Sequence, residues 1–302
     1  MTIFEVLADP ILPVFAIMAI GYAAGLRGSV SVDDARTVNR IVMSVFVPVL
    51  LFGLMSEAPI REFDPVPVLI YFVTEALLFG GGVVLALKVF GLGAAEAVLL
   101  GFSGIFANTV FYTLPIGLFL YGSDGILPLT TVIVLDASVT FAGAIIALQL
   151  IALGRVTPLG LLRTVARSPI LQAIGLGLGV NLAAVPLPHT VATFIAFNGA
   201  AAAPLALFAL GVVLSQTRFT LSPPVLVFTF VKVAAFPAAI FLGIWLFAAD
   251  APRADQFVLA AAGPAGAMAF SLALLHGVST ERIAQVIVLS SVLTLISLAA
   301  LA

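Results

Sequence analysis

Long apolar stretches separated by short polar connections make up most of the chain. Each stretch runs for roughly 20 residues, the length that an α-helix needs to cross the hydrocarbon core of a bilayer. Gly, Pro, Asp and Arg mark most of the connections, as they do in turns and loops. The pattern predicts an all-α polytopic membrane protein with ten transmembrane helices, at residues 9–26, 38–55, 66–89, 95–121, 127–152, 169–184, 189–214, 223–247, 256–277 and 282–302.

The longest connection, residues 154–168, mixes Arg155, Arg163 and Arg167 with apolar residues. Such a mixture favours a short amphipathic segment that lies in the membrane interface. We expect this segment to be a cytoplasmic loop that joins two halves of the protein.

The composition excludes several classes of protein. Of the 302 residues, 63% are hydrophobic and 9% are charged, whereas soluble domains carry about 25% charged residues. Twelve Lys and Arg against fourteen Asp and Glu give a net charge of -2, so the basic surface of a nucleic-acid-binding protein is missing. The absence of cysteine excludes disulfides, thiolate metal sites and cysteine nucleophiles.

The distribution of Lys and Arg predicts the orientation. Even-numbered connections hold only Arg61 and Arg253. Positively charged loops stay in the cytoplasm, so we expect both termini to face outward. The odd-numbered connections hold the other loop residues, namely Arg27, Arg36, Arg40, Lys88, Arg155, Arg163, Arg167, Arg218 and Arg282.

An internal repeat relates residues 1–153 to residues 169–302. Short motifs recur in the same order at offsets of 154 to 160 residues; for example, Pro48–Leu54 in span two corresponds to Pro204–Leu210 in span seven. Five spans is an odd number, so the second repeat must enter the membrane inverted. Inverted repeats are typical of secondary transporters, which bind substrate near the bilayer midplane.

Spans four and nine, which are equivalent in the repeat, both contain helix-breaking residues. Interrupted spans of this kind indicate the substrate site of a transporter. We therefore expect two broken helices that cross, with half-helix N-termini that attract an anion. The residues concerned are Gly101, Gly104, Asn108 and Pro115 in span four, and Gly263, Pro264 and Gly266 in span nine.

The segment Asn108–Pro115 resembles the Asn-Thr-x-x-x-Gly-x-Pro signature of the auxin efflux carrier family. That family includes plant auxin carriers and bacterial organic-anion carriers such as malonate transporters. Similar stretches in spans one, two and seven extend the resemblance over essentially the whole chain. Two positions depart from the family pattern: Thr113 replaces the usual Gly, and Met268 stands where many members have Asn.

The resemblance implies a fold shared with sodium–bile-acid symporters. In that fold, spans one, two, six and seven form a panel, and spans three to five and eight to ten form a transport domain around the crossed spans. It also implies a homodimer through the panel and a location in a bacterial inner membrane. Asn108, Thr109, Pro115, Gly263, Pro264, Gly266 and Met268 would then bind the substrate.

Three charged side chains fall inside the predicted spans: Glu75, Asp136 and Lys232. A charge within the membrane is costly unless it is paired, neutralised or hydrated, and it often marks function. Glu75 and Lys232 are equivalent in the repeat, so they could form a structural salt bridge; alternatively Glu75 could bind a coupling ion and Lys232 could attract the substrate. Asp136 could bind a proton, or a sodium ion together with Ser138.

These observations predict a secondary transporter of a small organic anion, a mono- or dicarboxylate or an auxin-like acid. It would work by alternating access, in elevator fashion, and use a proton or sodium as its coupling ion, without an organic cofactor. An uncoupled uniporter and a channel stay open as alternatives. An intramembrane enzyme is disfavoured because the His-Glu-x-x-His and Gly-x-Gly-Asp motifs are absent.

Overall fold

The computed structural model describes residues 3–122, 125–154, 165–217 and 220–301. Within these ranges the structure is helical between its connections, and its β-type pairing is limited to one bridge between Ala107 and Ala265. The helices are α1 (Ile3–Leu26), α2 (Val32–Ser56), α3 (Pro65–Lys88), α4 (Ala94–Ile105), α5 (Leu114–Tyr121), α6 (Leu127–Leu153), α7 (Pro169–Leu182), α8 (His189–Ser215), α9 (Pro223–Phe247), α10 (Asp255–Ala262), α11 (Met268–His276) and α12 (Glu281–Leu301).

The helices follow the predicted spans closely. Helices α4 and α5 are the two halves of predicted span four, and α10 and α11 are the two halves of span nine. Among the described residues, α2, α3, α6, α8 and α9 are long and apolar enough to cross a membrane on their own. The all-helical membrane fold is thus confirmed, and the crossing of all ten spans stays a prediction.

The predicted start of span two at residue 38 is wrong, because α2 begins at Val32. The Ser31 hydroxyl accepts a hydrogen bond from the Asp34 amide at 3.1 Å, and the Asp34 carboxylate accepts one from the Ser31 amide at 2.9 Å. This reciprocal capping box starts a helix whatever its hydropathy. The apolar pattern missed the first turns because they carry Asp33 and Arg36.

The predicted amphipathic segment at residues 154–168 falls mostly on residues 155–164, which lie outside the described residues. On its far side, Ser168 caps α7: its hydroxyl accepts a hydrogen bond from the Leu171 amide. The second half of the described structure therefore begins, like α2, at a serine cap.

The helices pack in two groups. The first helix group contains α1, α2, α7 and α8, in which α1 packs along the second part of α8 and α7 packs along the second part of α2. A β-carbon at Gly177 would lie 2.7 Å from the Phe52 carbonyl oxygen, so α7 and α2 touch through their backbones. The second helix group contains α3 to α6 and α9 to α12; within it α3 packs on α4, and α9 packs on α3, α10 and α12.

Polar contacts tie the second helix group together at both ends of the molecule. We call these the Arg27 end, where α1 meets α2, and the Asp250 end, where α9 meets α10. At the Arg27 end Arg282 forms a 2.5 Å ion pair with Glu96. At the Asp250 end the Tyr121 hydroxyl donates a 2.6 Å hydrogen bond to the Asp255 carboxylate.

Candidate functional site

The two broken segments meet and pair through their extended backbones. Helix α4 ends at Ile105 and α10 ends at Ala262, and neither continues directly into the helix that follows. The Asn108 amide donates to the Pro264 carbonyl at 2.8 Å, and the Gly266 amide donates to the Phe106 carbonyl at 2.9 Å. The hydrogen-bonding groups freed by the breaks therefore satisfy one another, as the membrane interior requires.

Ser290 supports this pairing from α12. The Ala265 amide donates to the Ser290 hydroxyl at 3.0 Å, and that hydroxyl donates in turn to the Ile287 carbonyl at 3.0 Å. Gly263 and Pro264 lie inside the break, as the sequence predicts.

Pro115 does not lie at the break, contrary to the expectation from the sequence. The break covers residues 106–108, and Pro115 sits in the first turn of α5. A π-helical turn, Thr109–Thr113, directly precedes α5. A proline has no backbone N–H to donate to the carbonyl four residues back, which favours a wider turn before it.

A cavity of about 70 Å³ lies where the broken helices face the first helix group. The second halves of both broken segments begin at this cavity, so their N-terminal backbone amides lie beside it. We call it the crossover cavity. Its walls are formed mainly by apolar side chains, and the residues that line it include Val47, Leu50, Leu51, Leu54, Phe106, Asn108, Thr109, Ile133, Asp136, Phe141, Ala206, Leu207, Gly266 and Met268.

Two polar side chains of the crossover cavity are available to a ligand. The buried Thr109 hydroxyl has no hydrogen-bond partner among the described residues, and the half-buried Asn108 side chain, which also lines the cavity, makes no capping hydrogen bond to the helical turn that follows it. An unpaired polar group in a buried position is costly and is commonly satisfied by water or a ligand. Asn108, Thr109, Gly266 and Met268 therefore lie together at one cavity, as the sequence predicts.

Lys232 lies elsewhere and caps the first halves of both broken segments. It is fully buried in a π-helical turn of α9, Val231–Ala235. Its ammonium group donates to the Ala261 carbonyl at 2.9 Å and to the Ile105 carbonyl at 3.4 Å. Carbonyls at helix C-termini carry partial negative charge, so one cation stabilises both helix ends. Lys232 is absent from the cavity wall, which argues against direct contact with a substrate there.

Glu75 and Asp136 complete a buried charged group around Lys232. The Glu75 carboxylate accepts a 2.6 Å hydrogen bond from the Thr140 hydroxyl, and all three charged side chains interact electrostatically. In the described part of the chain no ion pair within 4.0 Å joins Glu75 to Lys232, so the predicted direct salt bridge is not formed. Asp136 alone of the three lines the crossover cavity.

The predicted sodium site near Asp136 and Ser138 stays a prediction. The Ser138 hydroxyl donates to the Val134 carbonyl at 2.5 Å, within its own helix. The described residues contain no cluster of three acidic or histidine side chains. Neither Asp136 carboxylate oxygen accepts a hydrogen bond from a donor of the described residues, and the Asp136 carboxyl group faces that of Glu75, so the two acids together could hold a proton or a cation.

Comparison with known proteins identifies the family. A sequence model of the membrane transport protein family matches two successive segments of the chain, residues 6–156 and 155–302. The chain belongs to this family. The membrane transport protein family is the same as the auxin efflux carrier family, whose signature the Asn108–Pro115 segment resembles. The predicted family is therefore confirmed. This family member is a multi-pass membrane transporter, and the two matched segments meet close to the predicted boundary between repeats.

Two relatives align along nearly the whole transporter. A protein of Rhizobium meliloti (strain 1021), provisionally named a malonate transporter, is 25% identical over 296 residues, which cover 94% of this chain and 91% of that protein. A protein of Methanothermobacter thermautotrophicus (strain Delta H), named an uncharacterized transporter, is 24% identical over 310 residues. The second alignment covers 98% of this chain and 97% of the relative.

Proposed function

We propose that the chain is a secondary transporter of a small organic anion, which binds in the crossover cavity. The observation that carries this proposal is that two half-helix N-termini, the Asn108 side chain and the unpaired Thr109 hydroxyl meet at one cavity. Helix N-termini attract carboxylates, and broken helices at the centre of a transporter form substrate sites. The provisional name of the Rhizobium meliloti relative, a malonate transporter, supports an anionic substrate.

The walls of the cavity favour an anion with one carboxylate and an apolar remainder. In the described structure no Lys or Arg side chain lines the cavity, and Leu50, Leu54, Phe106 and Leu207 form much of its surface. One carboxylate can interact with the helix N-termini, whereas a second would be buried without a cation, which is costly. A monocarboxylate with an apolar tail therefore fits this cavity better than a dicarboxylate such as malonate.

The two helix groups are suited to alternating access. We propose that the first helix group is the panel and that the second is the transport domain, which carries the crossover cavity past the panel in an elevator-type movement. The equivalent packing of α1 with α8 and of α7 with α2 supports two inverted five-helix repeats. We also propose ten spans with both termini outside, a place in the bacterial inner membrane and a homodimer through the panel.

The buried charges support coupling to one monovalent cation. When ionised, Glu75 and Asp136 carry two negative charges against the single positive charge of Lys232, and all three are buried. An uncompensated charge in the membrane interior is expensive, so binding one proton or one sodium ion would neutralise the group. Asp136 lines the cavity that takes the anion. A cation bound at Asp136 would thus remove the repulsion between the Asp136 carboxylate and the carboxylate of the anion. Cation binding would therefore promote anion binding.

A thermal-shift panel on the purified protein tests the substrate proposal. A ligand at about 100 times its Kd stabilises by about 2.7 kcal/mol, which corresponds to a rise in Tm of roughly 5 °C. We expect indole-3-acetate and short-chain monocarboxylates to raise Tm more than malonate does, and sodium or acid to strengthen the rise. A larger rise with malonate would overturn the one-carboxylate preference, and no rise with any anion would overturn the anion proposal.

Replacing Asp136 with asparagine should abolish the dependence of anion binding on its coupling ion. The amide is uncharged at every pH, so it resembles the neutralised carboxylate. In the wild type we expect the affinity for the anion to fall as pH rises or as sodium is withdrawn, and in Asp136→Asn we expect a constant affinity. Isothermal calorimetry between pH 5 and pH 8, with and without sodium, measures this difference.

Asp250→Asn makes the same chemical change at an exposed site and should behave as the wild type does. An Asp136→Asn variant that keeps the full ion dependence would remove Asp136 from the coupling proposal. A wild type whose anion affinity is independent of both pH and sodium would favour the uncoupled uniporter instead.

A further inference from the structure

A second cavity lies at the Arg27 end, in line with the crossover cavity. Its volume is about 520 Å³, and it is lined by residues of α2, α8 and α11, among them Arg36, Val213 and Leu275. The same three helices line the crossover cavity through Val47, Ala206 and Met268, among other residues. The two cavities share no lining residue.

The helical register identifies the side chains that separate the two cavities. Residues three or four positions apart lie on the same face of a helix. Between the residues that line the two cavities lie two intermediate positions on α2, Asn39 and Met43, and one on each of the other helices, Leu210 on α8 and Ser271 on α11. All four are at most 2% exposed. They form a closed layer about two helical turns from the Arg27 end.

A hydrogen bond between the two helix groups crosses this layer. The Asn39 side-chain amide, on the first helix group, donates to the Ser271 carbonyl, on the second, at 2.9 Å. By contrast, the Asn181 amide donates within the first group, and Lys232 donates within the second. The contact from Asn39 to Ser271 must therefore break if one group moves past the other.

Two unpaired polar atoms accompany this hydrogen bond. The Asn39 carbonyl oxygen Oδ1 and the Ser271 hydroxyl oxygen are buried and have no hydrogen-bond partner among the described residues. Leaving a buried polar group unpaired is costly. Water that enters when the layer opens would satisfy both atoms, so the closed layer is only weakly favoured over the open one.

The crossover cavity has a neighbour in the other direction. Leu50 and Leu54 line both the crossover cavity and a cavity of about 360 Å³ beside Glu57 and Thr130, at the Asp250 end. The structure is therefore asymmetric: the crossover cavity adjoins the Asp250 end and is sealed from the Arg27 end.

We infer that Asn39 and Ser271 form a gate between the crossover cavity and the Arg27 end. The gate is held by the amide-to-carbonyl hydrogen bond and packed by Met43 and Leu210. Its unpaired oxygens line the path for the anion once the gate opens. This inference rests on the proposed transport function for its biological meaning, but the closure itself is a property of the protein without substrate.

The native chain contains no cysteine, so a single introduced thiol reports on the gate. Ala206→Cys places a thiol on the wall of the crossover cavity. Right-side-out and inside-out vesicles are treated with a membrane-impermeant methanethiosulfonate reagent, and an exposed Ser29→Cys variant shows which face carries the Arg27 end. We expect the Ala206→Cys thiol to react more slowly from the Arg27 end than from the Asp250 end.

Adding Asn39→Ala should raise the reaction rate from the Arg27 end about fivefold, the factor to which a hydrogen bond of about 1 kcal/mol corresponds. The matched control is Asn181→Ala, which also removes amide-to-carbonyl hydrogen bonds but within one helix group. It should leave the rate unchanged. Leu210→Ala, which opens the packing of the same layer, provides a second variant if Asn39→Ala does not fold.

Two results would overturn the gate. One is an unchanged rate from the Arg27 end in both folded variants, Asn39→Ala and Leu210→Ala. The other is an equal rise in Asn181→Ala, which would indicate general loosening. Because the assay contains no substrate, a protein that transports no anion can still show the gate, and the two proposals fail separately.

Discussion

Lys232→Met is expected to lower the stability of the protein by about 3–5 kcal/mol, the usual effect of removing one partner from a buried group of charges. The methionine would leave the Ile105 and Ala261 carbonyls without their cation. It would also leave Glu75 and Asp136 as buried acids without a base nearby. In a thermal-unfolding measurement in detergent, this loss corresponds to a fall in Tm of roughly 10 °C.

Lys88→Met is the matched control, because Lys88 is exposed at the end of α3 and its replacement should change Tm little. Adding Asp136→Asn to Lys232→Met should restore part of the lost stability, since it removes one of the two uncompensated acids. The capping role of Lys232 would be contradicted if Lys232→Met and Lys88→Met melted at the same temperature.

Asn108→Ala is expected to weaken anion binding by about 10- to 100-fold, the range that a lost hydrogen bond to a charged group represents. The reason is the position of the Asn108 side chain, which lines the crossover cavity and makes no capping hydrogen bond to the helical turn that follows it. Its removal should leave Tm of the free protein nearly unchanged while it removes the ligand-induced rise. Initial rates of anion uptake into proteoliposomes measure the same loss as function.

The control for this substitution is Asn198→Ala. Asn198 lies in α8 and does not line the crossover cavity, and its side-chain amide donates to the Phe194 carbonyl within its own helix. Uptake by this variant should match that of the wild type. Normal uptake by a correctly inserted Asn108→Ala variant would show that the crossover cavity is not the substrate site.

Hydropathy and helix-breaking residues predict which segments are helical and which two are interrupted, but not every boundary. The helix breaks at Gly263 and Pro264 because Pro264 has no backbone N–H to donate and its ring clashes with the preceding helical turn. The early start of α2 was missed because a capping box, read from Ser31 and Asp34, outweighs the charge of the first turn. Capping hydrogen bonds set this helix boundary, and hydropathy alone does not reveal them.

Prolines follow three of the π-helical turns at a fixed distance. The π-helical turns Val42–Phe46, Thr109–Thr113 and Val231–Ala235 each end two residues before a proline, at Pro48, Pro115 and Pro237. A proline that cannot continue the regular hydrogen-bond pattern favours a wider turn before it. One of these turns contains Lys232, whereas the π-helical turn that contains Asp136, Asp136–Phe141, has no such proline after it.

The partners of the buried charges could not be predicted from one sequence. The repeat made Glu75 and Lys232 equivalent, which suggested a direct pair, but Lys232 instead reaches two backbone carbonyls. Backbone acceptors leave no trace in residue identity, and the contact of Asn39 with the Ser271 carbonyl was missed for the same reason. Asn108 and Thr109, which line the cavity, were predictable because the motif itself contains them, and Met268 was predictable because it follows the break at Pro264.

Counterflow in proteoliposomes tests the central claim most directly. Vesicles loaded with a high concentration of the unlabelled anion that gives the largest thermal shift are diluted into a trace of the same anion carrying a radioactive label. A carrier that alternates access at one binding site should accumulate the label transiently above its external concentration, and Asn108→Ala should abolish this overshoot. Uptake that neither saturates nor overshoots in the wild type would contradict the account and would indicate a channel.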